Sequence, residues 1–312
     1  MEKIPTRIAY GQALAELGEE NDRVVVIDAD ISKITGTHLF ARKFPERFFN
    51  VGIAEQNEMG IAAGMATTGK IVFASTYAVF ASMRACEQVR TFIAHTRSNV
   101  KIAASHGGLT GTTDGVTHQG TEDMGIMRTI PNMTIIMPAD AVATRKIVKE
   151  LAEHRGPAYL RLTKIPMPII YDEETDFQIG RAVQLRDGND VTIIAIGDMV
   201  IRALEAADLL DNNGIRARVL DMHTLKPVDK GAVIKAAEQT GAIVTVEDHN
   251  ILNGLGSAVA EVVVENRPVP MERIGLRDTF AESGEYEELL EKYGLNTRHI
   301  TEAARKVMGR KL

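Results

Sequence analysis

One cysteine, Cys86, is all the thiol this 312-residue chain holds, so neither an internal disulfide nor a thiolate metal cluster can form. That scarcity fits a reducing compartment. No apolar run approaches the ~18 residues a membrane span needs, and the opening Met1-Glu2-Lys3-Ile4-Pro5 lacks the apolar core of a signal peptide. The chain is therefore expected to be cytoplasmic, with no membrane partner. An excess of positive charge is missing too. The 36 Lys and Arg stand against 42 Asp and Glu, and a net charge of −6 excludes a chain whose main task is gripping nucleic acid. Local basic patches for phosphorylated small molecules stay open. What is present is long enough for two domains, each with its own core.

Short apolar runs at 24–27, 71–74, 100–104, 134–137 and 158–162 read as buried parallel strands. Helical patterns lie between them at 8–17, 55–67, 79–95, 121–128 and 142–154. A stretch with Pro166, Pro168 and the acidic run Asp172 to Asp176 breaks the alternation and reads as a linker. Strands at 191–196, 217–220 and 242–246 then alternate with helices at 200–212, 230–239 and 255–265, and a last helical region covers 286–308. The expected fold is α/β in two domains, each a mostly parallel sheet with helices on both faces. Their predicted bounds are 1–168 and 189–312, with 169–188 between. Ligands of such sheets bind beyond the carboxyl ends of the strands. Asp30, Ser75 to Tyr77, Ser105 to His118 and Pro138 to Asp140 all follow predicted strands and could converge on one edge.

Three constellations carry chemistry, each with a bland alternative. Glu55 follows Asn50-Val51-Gly52-Ile53-Ala54 and opens a helix of small apolar residues. An acid in a first helical turn can simply complement the helix dipole. Buried among small residues, it would instead be suited to sharing a proton with a heteroaromatic nitrogen. Tyr77 and Phe80 are three apart and can face one way, either into the core or onto a flat ligand. The loop from His106 to His118 is the stronger signal. It crowds His106, Asp114, Thr117 and His118 among Gly107, Gly108, Gly111 and Gly115, and long polar loops in compact domains tend to be functional. Too few carboxylates accompany the histidines for a metal site. Glu247-Asp248-His249 with Gly254-Leu255-Gly256 looks like half a phosphate loop of low specificity, and Leu225-Lys226-Pro227 like a turn.

In their order and spacing, Asn50 to Glu55, Ser75 to Phe80, Asp114 to Gln119, and Ile130 through Asp140 resemble the C-terminal half of transketolase. That half is the pyrimidine-binding domain and C-terminal domain of thiamine-diphosphate enzymes. The resemblance implies that Glu55 hydrogen-bonds the cofactor's aminopyrimidine and promotes its imino form. It implies cofactor contacts from Tyr77, Phe80 and Asp30. Asp114 and His118 would read sugar hydroxyls, with His118 also catalytic, and Arg7 and His106 would meet substrate phosphate. Lys164 stands where the family uses a phosphate-binding arginine, keeping the charge without the bidentate geometry. Met83 replaces a frequent tyrosine, and either Ser32 or Thr35 could be the hydroxyl expected after Asp30.

No Gly-Asp-Gly occurs, the family's motif for diphosphate and its cation. Glycine-rich backbone and metal are what neutralise a diphosphate. The resemblance thus implies one subunit of a split transketolase, moving a two-carbon ketol unit from a ketose phosphate to an aldose phosphate. An N-terminal partner subunit would hold the diphosphate and Mg2+ (or Ca2+ or Mn2+), in a dimer of heterodimers. Other readings are the back half of a deoxyxylulose-phosphate synthase, the β subunit of a 2-oxo acid dehydrogenase, and a non-catalytic assembly subunit of the same fold. Asp114 to Gln119 speaks against the dehydrogenase, and His106 against the synthase, which tends to use an arginine there. The joint presence of Glu55, Asp114 and His118 speaks against a purely structural role.

Overall fold

A computed structural model describes residues 2–311. In chain order its strands are β1 (Lys3–Pro5), β2 (Val24–Asp28), β3 (Phe48–Asn50), β4 (Ile71–Tyr77), β5 (Val100–Ser105), β6 (Thr134–Ile136), β7 (Ala158–Arg161) and β8 (Pro166–Pro168). There follow β9 (Val183–Arg186), β10 (Val191–Ala195), β11 (Ala217–Asp221), β12 (Thr224–Lys226), β13 (Ile243–Asn250) and β14 (Met271–Leu276). The first sheet has seven strands in the order β12-β6-β7-β5-β4-β2-β3, parallel except for β12. The second has five, β14-β13-β10-β11-β9, parallel except for β9. This is the expected α/β architecture, with mostly parallel sheets. Strands such as β2 and β5 are buried along their whole length, as strands covered on both faces must be.

Helices form where the apolar spacing predicts them, and their ends have local causes. Helix Ala141–Glu153 buries Thr144, Ile147, Val148 and Leu151, which share one face, and the Asp140 side chain caps it by accepting from Ala143 N at 2.8 Å. The other Asp140 oxygen accepts from Ile170 N and Tyr171 N. Asp140 is therefore spent on the fold and does not join the ligand edge.

Four local expectations change. The predicted helix 79–95 is widened into π turns at Phe80–Arg84 and Val89–Ala94 around a short α segment. Ser82 Oγ donates to the Ala78 carbonyl at 2.7 Å, competing for the acceptor an α-helical amide would use. Leu225-Lys226-Pro227 is not a turn: Thr224–Lys226 pairs antiparallel with β6, so a strand from the second half completes the first sheet. The stretch 169–188 is more than a connector, because β9 pairs with β11 and Tyr171 and Phe177 are buried in a core that draws on both halves. Helices Tyr286–Tyr293 and Thr297–Met308 replace the single last region, broken where Gly294 takes a positive φ of 74°.

Candidate active site

The parallel strands of the first sheet deliver the predicted residues at their carboxyl ends. Tyr77 closes β4, His106 follows β5, and Lys164 comes shortly after β7. Arg7 enters from the first turn of helix Thr6–Glu20, which Thr6 Oγ1 ties to Thr163 through a 2.7 Å bond to its amide. Tyr77 is the hub. Its ring centroid lies 4.6 Å from that of His106, 5.1 Å from His118 and 5.5 Å from Phe80, all edge to face. Phe80 and His118 close the cluster at 5.4 Å. Tyr77 and Phe80 thus pack against each other and against the histidine rings.

His106 is buried with a left-handed backbone (φ 62°), and its Nδ1 lies 2.8 Å from Ser105 Oγ. Burial, reinforced by the Arg7 and Lys164 charges, lowers its pKa to about 3. The imidazole is neutral at pH 7, so its 3.8 Å approach to Asp114 is not an ion pair. Asp114 pairs instead with Lys164 at 2.8 Å, and that hydrogen bond holds its carboxyl below the ordinary range. Lys164 also donates to Thr112 Oγ1 at 3.3 Å. Thr112 is β-branched at φ 46°, a strained conformation of the kind concentrated at functional sites. Arg7 donates Nη1 to the Ile34 carbonyl at 2.7 Å, while its buried Nε has no partner among the described residues. His118 is half-buried, with Thr117 Oγ1 3.0 Å from Nδ1, which leaves Nε2 for a ligand.

Glu55 opens helix Glu55–Ala66 and is almost fully buried. Arg84 Nη1 lies 3.0 Å from both of its carboxylate oxygens. The Arg84 guanidinium also sits 4.1 Å over the Phe80 ring. One turn along, the Glu58 carboxylate is wholly buried with no side-chain partner among the described residues, and burial beside Asp28 and Glu55 pushes its pKa well above the usual range. Neither Arg84 nor Glu58 was singled out from the sequence. The signal was spacing: Arg84 lies four after Phe80, and Glu58 three after Glu55 on the same helix face.

Asp30 stands apart from the ring cluster. It is exposed, at φ 68°, and accepts from Asn50 Nδ2 at 2.7 Å. The neighbouring Asp28 is the organiser, accepting from Ile31 N, Thr35 Oγ1 and Thr37 Oγ1 at 2.7 to 2.8 Å. Between the two hydroxyl candidates, Thr35 rather than Ser32 meets an aspartate. The half phosphate loop is filled from within: Glu247 accepts from Leu255 N and Gly256 N at 2.6 and 2.8 Å, occupying that helix N-terminus. Among the described residues no group of three or more His, Cys, Asp or Glu could hold a metal ion.

The chain is similar to known proteins along most of its length. Residues 2–168 match the family described as transketolase, pyrimidine binding domain, and residues 180–300 match transketolase, C-terminal domain. A putative transketolase C-terminal section of Methanocaldococcus jannaschii is 48% identical over 94% of this chain and 93% of that one. A 6-deoxy-6-sulfo-D-fructose transketolase subunit of a Clostridium species is 44% identical, covering 98% and 95%. A solved structure described as a split gene transketolase, inactive β4 tetramer, superimposes with a TM-score of 0.92 at 51% identity over 99% of each chain.

Proposed function

The chain belongs to the transketolase family, and we propose that it is one subunit of a split, thiamine-diphosphate-dependent transketolase. It would transfer a two-carbon ketol unit from a ketose phosphate to an aldose phosphate. One observation carries this reading: Arg7, His106, Asp114, His118 and Lys164 converge around Tyr77, beside the buried Glu55.

Transketolases generally use thiamine diphosphate with a divalent metal. The residues present fit the pyrimidine end of that cofactor: Tyr77 and Phe80 would flank the ring, and Glu55 would share a proton with a ring nitrogen. The diphosphate and metal end finds no matching donor set in the described residues. We assign that end, with Mg2+ (or Ca2+ or Mn2+), to an N-terminal partner subunit, in a dimer of heterodimers. The description of the 51% identical structure as an inactive β4 tetramer supports this division of labour. No described helix is long and apolar enough to cross a membrane; a cytoplasmic setting is part of the same proposal.

When bound, the cofactor supplies the electron sink for carbon–carbon cleavage. This chain's residues supply orientation and proton transfer. Glu55 must exchange its contact with Arg84 for the ring nitrogen, and the half-exposed Arg84 side chain, on a widened helical turn, is free to swing away. As the donor's C2–C3 bond breaks, the C3 hydroxyl loses its proton, and His118 Nε2 is the available base at the cluster's open side. Returning that proton to the acceptor's aldehyde oxygen completes the transfer. Asp114 would accept from a sugar hydroxyl near the donor's first carbons. His106, neutral at pH 7 and with Nδ1 engaged by Ser105, would offer its Nε2 to the substrate without repelling Arg7 and Lys164, the cations facing the substrate phosphate.

The test is a ketol-transfer assay on this chain, on a candidate N-terminal subunit, and on their mixture. Activity is expected in the mixture alone. Full turnover by this chain alone would overturn the split-subunit reading.

A further inference from the structure

Behind the loop that carries His106, Asp114 and His118 lies a buried charged cluster that the proposed reaction does not use. Arg161, at the end of β7, is fully buried and donates to Asp123 Oδ2 at 2.9 Å, the Asp248 carbonyl at 3.0 Å and the Gly120 carbonyl at 2.6 Å. Asp248 belongs to β13 of the second sheet, yet both of its carboxylate oxygens accept from Leu109 N at 2.9 Å. The loop therefore has both ends pinned from behind. Gly107 and Gly120 form a bridge across its neck, Arg161 holds the Gly120 side, and Asp248 holds the Leu109 side.

The glycines at the neck take their meaning from these charges. A Cβ on Gly107 would come 2.3 Å from Arg161 Nε, and one on Gly108 2.3 Å from the Asp248 carboxylate. Gly108 also has φ 63°, which disfavours any side chain. Asp248 in turn faces Asp198, whose hydroxyl partner is Tyr286. Burial pushes both carboxyls up, and the Asp198 charge pushes Asp248 further.

We propose that Asp248 is a positioning residue for ketol transfer: through its bond to Leu109 N, the second sheet sets where the substrate-reading loop stands. This rests on the ketol-transfer reading above. It gives the second half of the chain a part in the site, although it contributes none of the residues that would touch substrate.

The experiment compares Asp248→Ala with Asp248→Asn in the full chain mixed with its N-terminal subunit. Asparagine keeps an acceptor for Leu109 N; alanine keeps none. Asp248→Ala is expected to lower kcat/KM on the order of ten- to a hundredfold, mainly through KM for the donor sugar, as misplaced recognition groups do. Thiamine-diphosphate affinity should stay within about twofold, because Tyr77 and Glu55 lie on other elements. Hydrogen–deuterium exchange should show faster amide exchange across 107–120 in Asp248→Ala and near-normal exchange in Asp248→Asn. Should Asp248→Ala fail to fold, Gly108→Ala reaches the same contact from the loop side and must reproduce the exchange and KM changes. Unchanged exchange and KM in the alanine variants would overturn the proposal, as would equal loss of cofactor binding in the alanine and asparagine variants. If the wild-type mixture transfers no ketol unit, the ketol-transfer reading fails, while the exchange pattern still decides whether Asp248 holds the loop.

Discussion

Lys164–Asp114 at the rim and Arg161–Asp123 behind it join the same charges at 2.8 and 2.9 Å, in opposite surroundings. The rim side chains are 27% and 40% exposed; both inner ones are fully buried. An exposed pair is worth about 0–1 kcal/mol and exchanges partners readily. A buried pair contributes little net, but removing one partner strands a charge at a cost of about 3–5 kcal/mol. The difference teaches which cations the protein can lend to a substrate. In the proposed reaction Lys164 would leave Asp114 for a phosphate at little cost; Arg161 cannot leave Asp123 without destabilising the fold. Arg84–Glu55 lies between them, with an exposed cation on a buried acid.

The comparison breaks most visibly at Arg161. Arg161→Met should lower unfolding stability by about 3–5 kcal/mol in urea titrations of the chain, since Asp123 is left a buried charge with the Tyr159 hydroxyl but no cation. A change below about 1 kcal/mol would mean that the inner pair behaves like the rim. Glu55→Gln sharpens the intermediate case. Ketol transfer by the assembled enzyme should fall on the order of 10²–10³-fold. Denaturant stability should move by less than about 1 kcal/mol, because the exposed Arg84 can turn to water. Near-normal turnover would remove Glu55 from the mechanism.

The third prediction concerns acid. His106 has a folded pKa of about 3, below the unfolded value near 6.5, so the unfolded chain binds its proton more readily. Its contribution to stability is fully present above pH ~6.5 and is lost as pH falls toward about 3, at up to about 1.4 kcal/mol per pH unit. His223 and His249, both lowered to about 4 by burial, add to the same slope. Glu247, raised to about 7, opposes it, losing stability as pH rises from ~4.5 through 7. Subtracting the profile of His106→Gln from that of wild type isolates the histidine; parallel profiles would show that His106 does not titrate as assigned. The smallest expected effect is Lys164→Met. It should raise KM for the donor phosphate about tenfold while stability shifts by less than about 1 kcal/mol. Equal KM values would mean that Lys164 serves Asp114 alone.

Most of the first sheet was legible because its strands are continuous apolar runs and its helices keep a 3.6-residue apolar spacing. The ring cluster was legible because Tyr77, Phe80, His106 and His118 sit in short segments after strands. What escaped was set by long-range contact. β12 is three residues long, and only its pairing with β6 makes it a strand. Arg161 reads as the last residue of a strand, and its three partners come from segments 38 to 87 residues away. Asp30 followed a strand as expected, yet the turn aims it at Asn50, and Asp28 takes the organising bonds. Charges deep in a fold lack periodicity, so spacing alone could not point to the cluster behind the loop.

The central claim is that this chain carries the pyrimidine half of a shared cofactor site. Calorimetry with thiamine diphosphate and magnesium, on this chain alone and then with the N-terminal subunit, tests it most directly. The account predicts tight binding in the mixture and none by the chain alone. Tight binding by the single chain would contradict it, because a diphosphate site would then lie within these residues.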